Sequence, residues 1–189
     1  MNKEIPTFIE ALMSPSAYMH DVKKIILMET HISWILLTGK YAYKIKKGIN
    51  IGFYNATSIE QRLKFCNEEL RLNKRLSPEI YKGIVLILGP PKFARVSEMD
   101  ANILLDIHKR SHKIIDYAVK MKEFPQSELL TNYLKRNRIP KSSIINLAKK
   151  LAKFHNNVEL SPPEENLFAT ERIVNPVQEN LNILKRIKL

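Results

Sequence analysis

The chain has 189 residues, a formal net charge of +12 at pH 7 and a hydrophobic fraction of 44%. This length suffices for one domain or a small two-lobed unit with a real core. No apolar run approaches the roughly 20 residues needed to cross a bilayer, and residues 1–6 lack a signal-peptide hydrophobic region. The single cysteine, Cys66, excludes an internal disulfide. It fits a reducing compartment, so we expect a cytoplasmic protein without a membrane partner.

The positive charge is compatible with nucleic acid, an acidic partner or a phosphate-rich ligand. The lysines are scattered along the chain rather than clustered in one arm. Net charge alone therefore leaves compositional drift and a functional basic face as open alternatives.

The first third of the chain predicts one short helix followed by a three-stranded meander. An amphipathic helix over 7–13 ends at Ser14-Pro15. Strands follow over 24–30 and 32–37, the first of them buried, and a turn at 38–40 leads to a third strand over 41–46. Because side chains alternate along a strand, one face of the third strand carries Tyr41, Tyr43 and Ile45, and the other carries Ala42, Lys44 and Lys46.

A longer helix follows a loop over 48–56. Ser58 and Gln61 have the spacing of a capping box, and the helix is predicted to continue to about Leu76. Glu69 lies within an otherwise apolar face of this helix, where an unpaired carboxylate is costly. We therefore expect Glu69 to pair with Lys44. Glu68 is the alternative carboxylate and Lys46 the alternative lysine.

The remaining chain predicts two more strands and then helices. Residues 83–88 form a strand that Gly89-Pro90-Pro91 ends, and 114–121 form the fifth strand. Between them, 92–113 are polar and irregular, with a short strand or a helical turn as open alternatives. Beyond Pro125, helices are predicted over 128–137, 144–156 and 177–187. The predicted fold class is α+β.

Several segments carry a resemblance to a known family. They include Tyr43-Lys44-Ile45-Lys46-Lys47, the block Cys66 to Tyr81, Tyr117-Ala118-Val119-Lys120-Met121, and Phe154-His155. In these segments the chain resembles the aminoglycoside phosphotransferase-like, protein-kinase-like family, and most of all the bacterial group in which such a domain precedes a P-loop kinase domain. The resemblance implies a kinase-like N-lobe over 1–121, a five-stranded antiparallel sheet plus one helix. A hinge and an incomplete helical C-lobe follow over 122–189.

The resemblance also implies ATP with Mg²⁺ as the cofactor and a set of binding residues. Lys44, oriented by Glu69, binds the phosphates, and the small Ala42 leaves room for the adenine ring. Met121 closes the back of the adenine pocket. The backbone of Lys122 and Phe124 reads the adenine edge.

The turn at 30–33 stands where kinases place a glycine-rich loop, but it contains no glycine. Ser33 or His31 is a candidate phosphate contact there. A tight turn with His31 packed on Trp34 is the alternative. The missing glycine predicts weak nucleotide binding.

Two family motifs are absent from the sequence: the His-Gly-Asp catalytic loop and the Gly-x-x-x-x-Gly-Lys of a P-loop. No histidine or cysteine spacing indicates a metal site. We therefore expect the N-terminal part of a kinase-like phosphotransferase, inactive alone because the catalytic Asp and metal ligands are missing. A separately encoded C-terminal part is the expected partner. The alternative is a non-catalytic module whose basic surface binds nucleic acid or an acidic partner.

Overall fold

The structure, a computed structural model, describes residues 5–99, 113–136, 139–158 and 169–186. The chain divides into two compact units, Met1–Arg136 and Asn137–Leu189. The first unit holds the sheet and extends past residue 121, where the sequence analysis places a lobe boundary. The predicted boundary after residue 121 separates the two lobes of a kinase-like fold, and it stays a prediction.

The first unit is built on a six-stranded antiparallel sheet, so the mixed α+β class is confirmed and the strand number of five is wrong. The strand order is β1-β2-β3-β6-β4-β5. In chain order the strands are β1 (Ile26–Glu29), β2 (Ser33–Leu37), β3 (Tyr41–Lys46), β4 (Tyr81–Leu88), β5 (Arg95–Glu98) and β6 (Ile114–Lys122). The additional strand, β5, lies in the stretch left open between strand and turn, and pairs with β4.

The α-helices of the described residues are α1 (Thr7–Ala11), α2 (Ile59–Lys74), α3 (Leu130–Leu134), α4 (Lys141–Asn156) and α5 (Ala169–Arg186). The helix predicted over 128–137 is shorter, because a 3₁₀ turn at Gln126–Glu128 precedes α3. The last helix begins well before its predicted start and includes Pro176. None of the described helices combines the length and apolar character that membrane crossing requires.

The main core lies on the sheet face that carries Tyr43 and Ile45. These two side chains pack in one cluster with Trp34 of β2, with Ile9 of α1 and with Leu12, which directly follows α1. The alternation predicted for β3 is therefore confirmed. The same alternation leaves Ala42, Lys44 and Lys46 on the opposite face, next to α2.

The edge strand β1 departs from its prediction as a buried strand. Ile26 is 47% exposed and Met28 is 37% exposed. β1 pairs with β2 on one side only, and few side chains of the sheet cover it. An apolar run therefore identified the strand but not its burial.

α2 begins as predicted. The Gln61 N–H donates to Ser58 Oγ at 3.2 Å, and the Ser58 N–H donates to Gln61 Oε1 at 3.2 Å. This capping box fixes where α2 starts, and hence which of its side chains face the sheet. Cys66, fully buried, and Glu69 lie on that face.

Candidate functional site

Glu69 of α2 meets two lysines of β3. Lys44 Nζ donates to Glu69 Oε1 at 2.7 Å, and Lys46 Nζ donates to Glu69 Oε2. The predicted Lys44–Glu69 contact is confirmed, and the alternative lysine shares the same carboxylate. The alternative carboxylate, Glu68, pairs instead with Arg71 at the surface, with Arg71 Nη2 at 2.8 Å from its Oε2.

The three charges lie in a region with little solvent. The side chains of Lys44, Lys46 and Glu69 are 25%, 6% and 10% exposed. Burial acts to raise the pKa of Glu69, but the hydrogen bonds and charges of Lys44 and Lys46 outweigh it and hold that pKa below its usual value. Glu69 is therefore ionised at neutral pH. Two ammonium groups against one carboxylate leave a net positive charge beside the sheet.

A cavity of about 440 Å³ opens next to this cluster. Its walls are mostly apolar. They come from the first three strands, from the end of α2, from the start of β4 with the turn before it, and from the end of β6 with the segment after it. Five of the predicted binding residues line it, namely Ala42, Lys44, Met121, Lys122 and Phe124. Glu69 is not among the lining residues, but it accepts a hydrogen bond from Lys44, which is. Lys46 is not among the lining residues, so the two lysines differ in access to the cavity.

The segment after β6 is held in place by hydrogen bonds on both sides. The Lys122 N–H donates to the Ile80 carbonyl at 2.8 Å, and the Glu123 N–H donates to the Lys40 carbonyl at 3.1 Å. The Gly39 N–H donates to Glu123 Oε2 at 2.7 Å. Within the described chain, the Phe124 N–H has no such partner. The segment therefore presents one fixed backbone donor at the mouth of the cavity.

Ser33 lies outside the cavity, and its predicted contact with a phosphate needs correction. Ser33 is 0% exposed, and its Oγ is buried without a hydrogen-bond partner in the structure. The turn before it is closed tightly, since the Thr30 N–H donates to the Ser33 carbonyl at 2.9 Å. Because Ser33 is opposite Lys46 across β2 and β3, it lies on the sheet face next to α2, where its side chain is fully covered. His31 is exposed.

A second buried ion pair joins α2 to the sheet, and the sequence analysis missed it. Arg62 Nε lies 3.0 and 2.9 Å from the two carboxylate oxygens of Asp116 in β6. Arg62 Nη1 also donates to the carbonyls of Ala56 and Thr57 at 3.1 and 2.9 Å. Burial raises the pKa of Asp116, although Arg62 opposes the shift. In the sequence, Asp116 stands within an otherwise apolar part of its strand. This pattern could have indicated that Asp116 is buried and needs a cation.

No group of His, Cys, Asp and Glu among the described residues is arranged to hold a metal ion. The aromatic and sulfur-containing side chains at the cavity form parts of its wall. They are Met28, Tyr81, Met121 and Phe124. The chemistry that the site offers is therefore binding: an apolar slot, the ammonium group of Lys44 beside its carboxylate partner and one backbone donor.

Comparison with known proteins gives a short match. One uncharacterized protein of Mycobacterium bovis and two of Mycobacterium tuberculosis are each 37% identical to this chain over 62 residues. The match covers 33% of this chain and 12% of each relative. This chain therefore matches only about an eighth of the length of those proteins. No family model and no solved structure matches the chain.

Proposed function

We propose that the first unit binds an adenine nucleotide in the cavity between β1–β3 and the segment after β6. On this proposal it is the nucleotide-side lobe of a kinase-like, ATP-dependent phosphotransferase. The observation that carries the proposal is the Lys44–Glu69 pair, because it places an oriented ammonium group at one wall of an apolar slot.

The shape and chemistry of the cavity suit a flat heterocycle attached to an anionic group. Its volume of about 440 Å³ falls in the range of small-molecule sites, about 300–1,000 Å³. Ile35, Leu37 and Ala42 supply apolar contact for a ring. The Phe124 N–H is available to a ring nitrogen. Lys44, partly exposed, is available to a phosphate.

The cluster beside the cavity also favours an anion electrostatically. Two lysines share one carboxylate, so the positive charge of the site is only half neutralised. Charges in a region of low exposure interact more strongly than charges in water. A phosphate near Lys44 balances the remaining charge.

The proposed lobe does not carry out phosphoryl transfer by itself. Transfer requires a group that orients the acceptor hydroxyl and, in kinases, metal ions that neutralise the phosphates. The sequence has no His-Gly-Asp motif, and the described residues offer no cluster that fits Mg²⁺. We therefore propose that a part not contained in this sequence supplies these groups.

The helices of the second unit expose several apolar side chains at helical spacing, Ile144, Leu147 and Leu151 on α4 and Val177, Leu181 and Leu184 on α5. Exposed apolar stripes of this kind mark interaction surfaces.

A second candidate function rests on the polar face of α4. Lys149, Lys150 and Lys153 are exposed on a helix that contains no acidic residue. Such a basic face suits nucleic acid or an acidic partner. This alternative, a non-catalytic binding module, does not use the Lys44–Glu69 pair.

Equilibrium dialysis with labelled ATP and labelled adenosine tests the proposed function. We expect weak ATP binding, with a dissociation constant of about a millimolar, because the turn at 30–33 lacks glycine. Lys44→Met is expected to weaken ATP binding by at least about tenfold and to leave adenosine binding unchanged. Lys47→Met is the matched control, since Lys47 pairs with Glu29 and lies outside the cavity lining. ATP binding that Lys44→Met does not alter would place the nucleotide elsewhere.

A further inference from the structure

β3 carries two lysines on the face next to α2, and their surroundings differ. Lys44 lies opposite Ile35 in β2, and Lys46 lies opposite Ser33. The Lys44 side chain is 25% exposed and lines the cavity, whereas the Lys46 side chain is 6% exposed and does not. Ser33, the residue directly across from Lys46, is small. It therefore leaves room for the long lysine side chain on the face next to α2.

The Glu69 carboxylate is divided between these lysines. Oε1 accepts from Lys44 and Oε2 accepts from Lys46. An anion in the cavity competes with Oε1 for Lys44. With Lys46 on Oε2, Glu69 keeps a cation during that competition. Without Lys46, the same anion leaves a largely buried carboxylate without a partner, which is strongly unfavourable.

We propose that Lys46 is a positioning residue: it holds the Glu69 carboxylate, and with it α2, so that Lys44 is free to bind an anionic ligand group. The binding part of this inference rests on the proposed function. The hold on Glu69 does not, because it exists without a ligand.

The pairing of Glu69 with Lys46 can be measured through the pKa of Glu69, because few other titratable groups among the described residues face this carboxylate. Besides the two lysines of β3, they are Tyr81 of β4, Tyr54 of the loop before α2, and Cys66 of α2. Burial raises the pKa of both tyrosines and of Cys66, the last to about 12, so all three are neutral in acid. A titration of Glu69 in acid therefore reports its pairing with the lysines.

The first arm of the test is a carboxyl titration by ¹³C NMR in protein labelled at the glutamate side-chain carboxyl carbons. The Glu69 signal is identified by its loss in Glu69→Gln. We expect Lys46→Met to raise the pKa of Glu69 by at least about one unit, a tenfold change in proton affinity. Lys47→Met, the neighbouring control, is expected to leave it unchanged.

The second arm measures ATP binding together with proton uptake, by calorimetry in two buffers of different ionisation enthalpy. The terminal phosphate of ATP itself titrates at about pH 6, so the proton uptake measured with the wild-type chain serves as the reference. Lys46→Met is expected to bind about tenfold more weakly at pH 7. Relative to the wild-type chain it should regain affinity as pH falls, with uptake of one additional proton by Glu69.

A second pair of variants covers the case in which Lys46→Met does not fold. Lys46→Arg keeps the charge and is expected to behave like the wild-type chain. Lys46→Gln removes the charge and is expected to show the raised Glu69 pKa.

Two results would overturn the inference. An unchanged Glu69 pKa in the neutral Lys46 variants would show that Lys46 does not hold the carboxylate. Loss of ATP binding at every pH, also in a Glu69→Gln background, would show that Lys46 contacts the ligand itself. If the wild-type chain does not bind ATP, the proposed function fails, and the carboxyl titration alone decides whether Lys46 holds Glu69.

Discussion

Two ion-pair clusters connect α2 to the sheet, and they differ in charge balance and in access. The Arg62–Asp116 pair matches one cation with one anion, and its side chains are 13% and 5% exposed. Arg62 Nη1 donates to two backbone carbonyls. The Glu69 cluster matches one anion with two cations, and one of those cations lines a cavity.

This difference separates a structural pair from a candidate binding site on the same helix. A balanced, enclosed pair has no unmatched charge to offer a ligand. An unbalanced cluster with one accessible ammonium group does. Burial alone therefore does not identify a functional charge; the unmatched charge and its opening to a cavity do.

The largest effect is expected from breaking the balanced pair. Arg62→Met leaves Asp116 buried without its cation, and we expect a loss of about 3–5 kcal/mol in the free energy of unfolding. Urea denaturation followed by circular dichroism measures it. Arg71→Met is the control at an exposed pair of the same helix, and its unfolding midpoint is expected to stay at the wild-type value. ATP affinity of the folded Arg62→Met protein is expected to stay within about twofold of wild type, because the sites share no residue.

A smaller loss is expected at the unbalanced cluster. Glu69→Gln removes the one carboxylate that Lys44 and Lys46 share, and we expect a loss of about 1.5–3 kcal/mol, the range for hydrogen bonds to charged groups. The same denaturation experiment measures it, with Glu68→Gln as the exposed control. Equal midpoints for the two glutamine variants would remove the distinction between the inner and outer carboxylates.

Lowering the pH is expected to change the free energy of unfolding in opposite directions through the Glu69 cluster and the Arg62–Asp116 pair. The pKa of Glu69 is held below its usual value of 4.5, so its contribution is present above pH 4.5 and is lost as pH falls through the folded-state pKa. The pKa of Asp116 is raised, which has the opposite effect. We expect Glu69→Gln to flatten the acid loss of stability measured by thermal unfolding below pH 4.5. A profile that keeps its acid slope in Glu69→Gln would assign that slope to other groups.

The smallest effect is expected in a turnover assay. With ATP, Mg²⁺ and a broad panel of acceptors, the purified chain is expected to show no phosphate transfer above background. Phosphoryl transfer needs a positioned catalytic base, and the sequence lacks its motif. Turnover that Lys44→Met abolishes would contradict this and would mean that another carboxylate takes that role.

Local patterns were sufficient to predict β3 and α2. Strict alternation placed Lys44 and Ile45 on opposite faces, and the Ser58 capping box set the start of the helix. The Lys44–Glu69 contact followed because a carboxylate on an apolar face needs a cation. The alternation and the capping box depend on residues close together in the chain.

Features that depend on pairing across the sheet were harder to predict. β5 has four residues, and only Val96 and Ser97 are buried, so its pattern is too short to identify a strand without β4. Ser33 was expected at a phosphate, but contacts across the sheet bury it completely. That both Lys44 and Lys46 reach one carboxylate depends on the distance between β3 and α2, which no sequence period encodes.

The central claim is that the unbalanced cluster and its cavity bind an adenine nucleotide. NMR titration with ATP and adenosine tests it most directly, because it reports each residue separately. The account predicts saturable shifts at the Phe124 amide and at the Ala42 and Met121 methyl groups with both ligands. It also predicts that Lys44→Met weakens the response to ATP and not the response to adenosine. Shifts confined to the lysines of α4, or no shift at these three groups with either ligand, would contradict it.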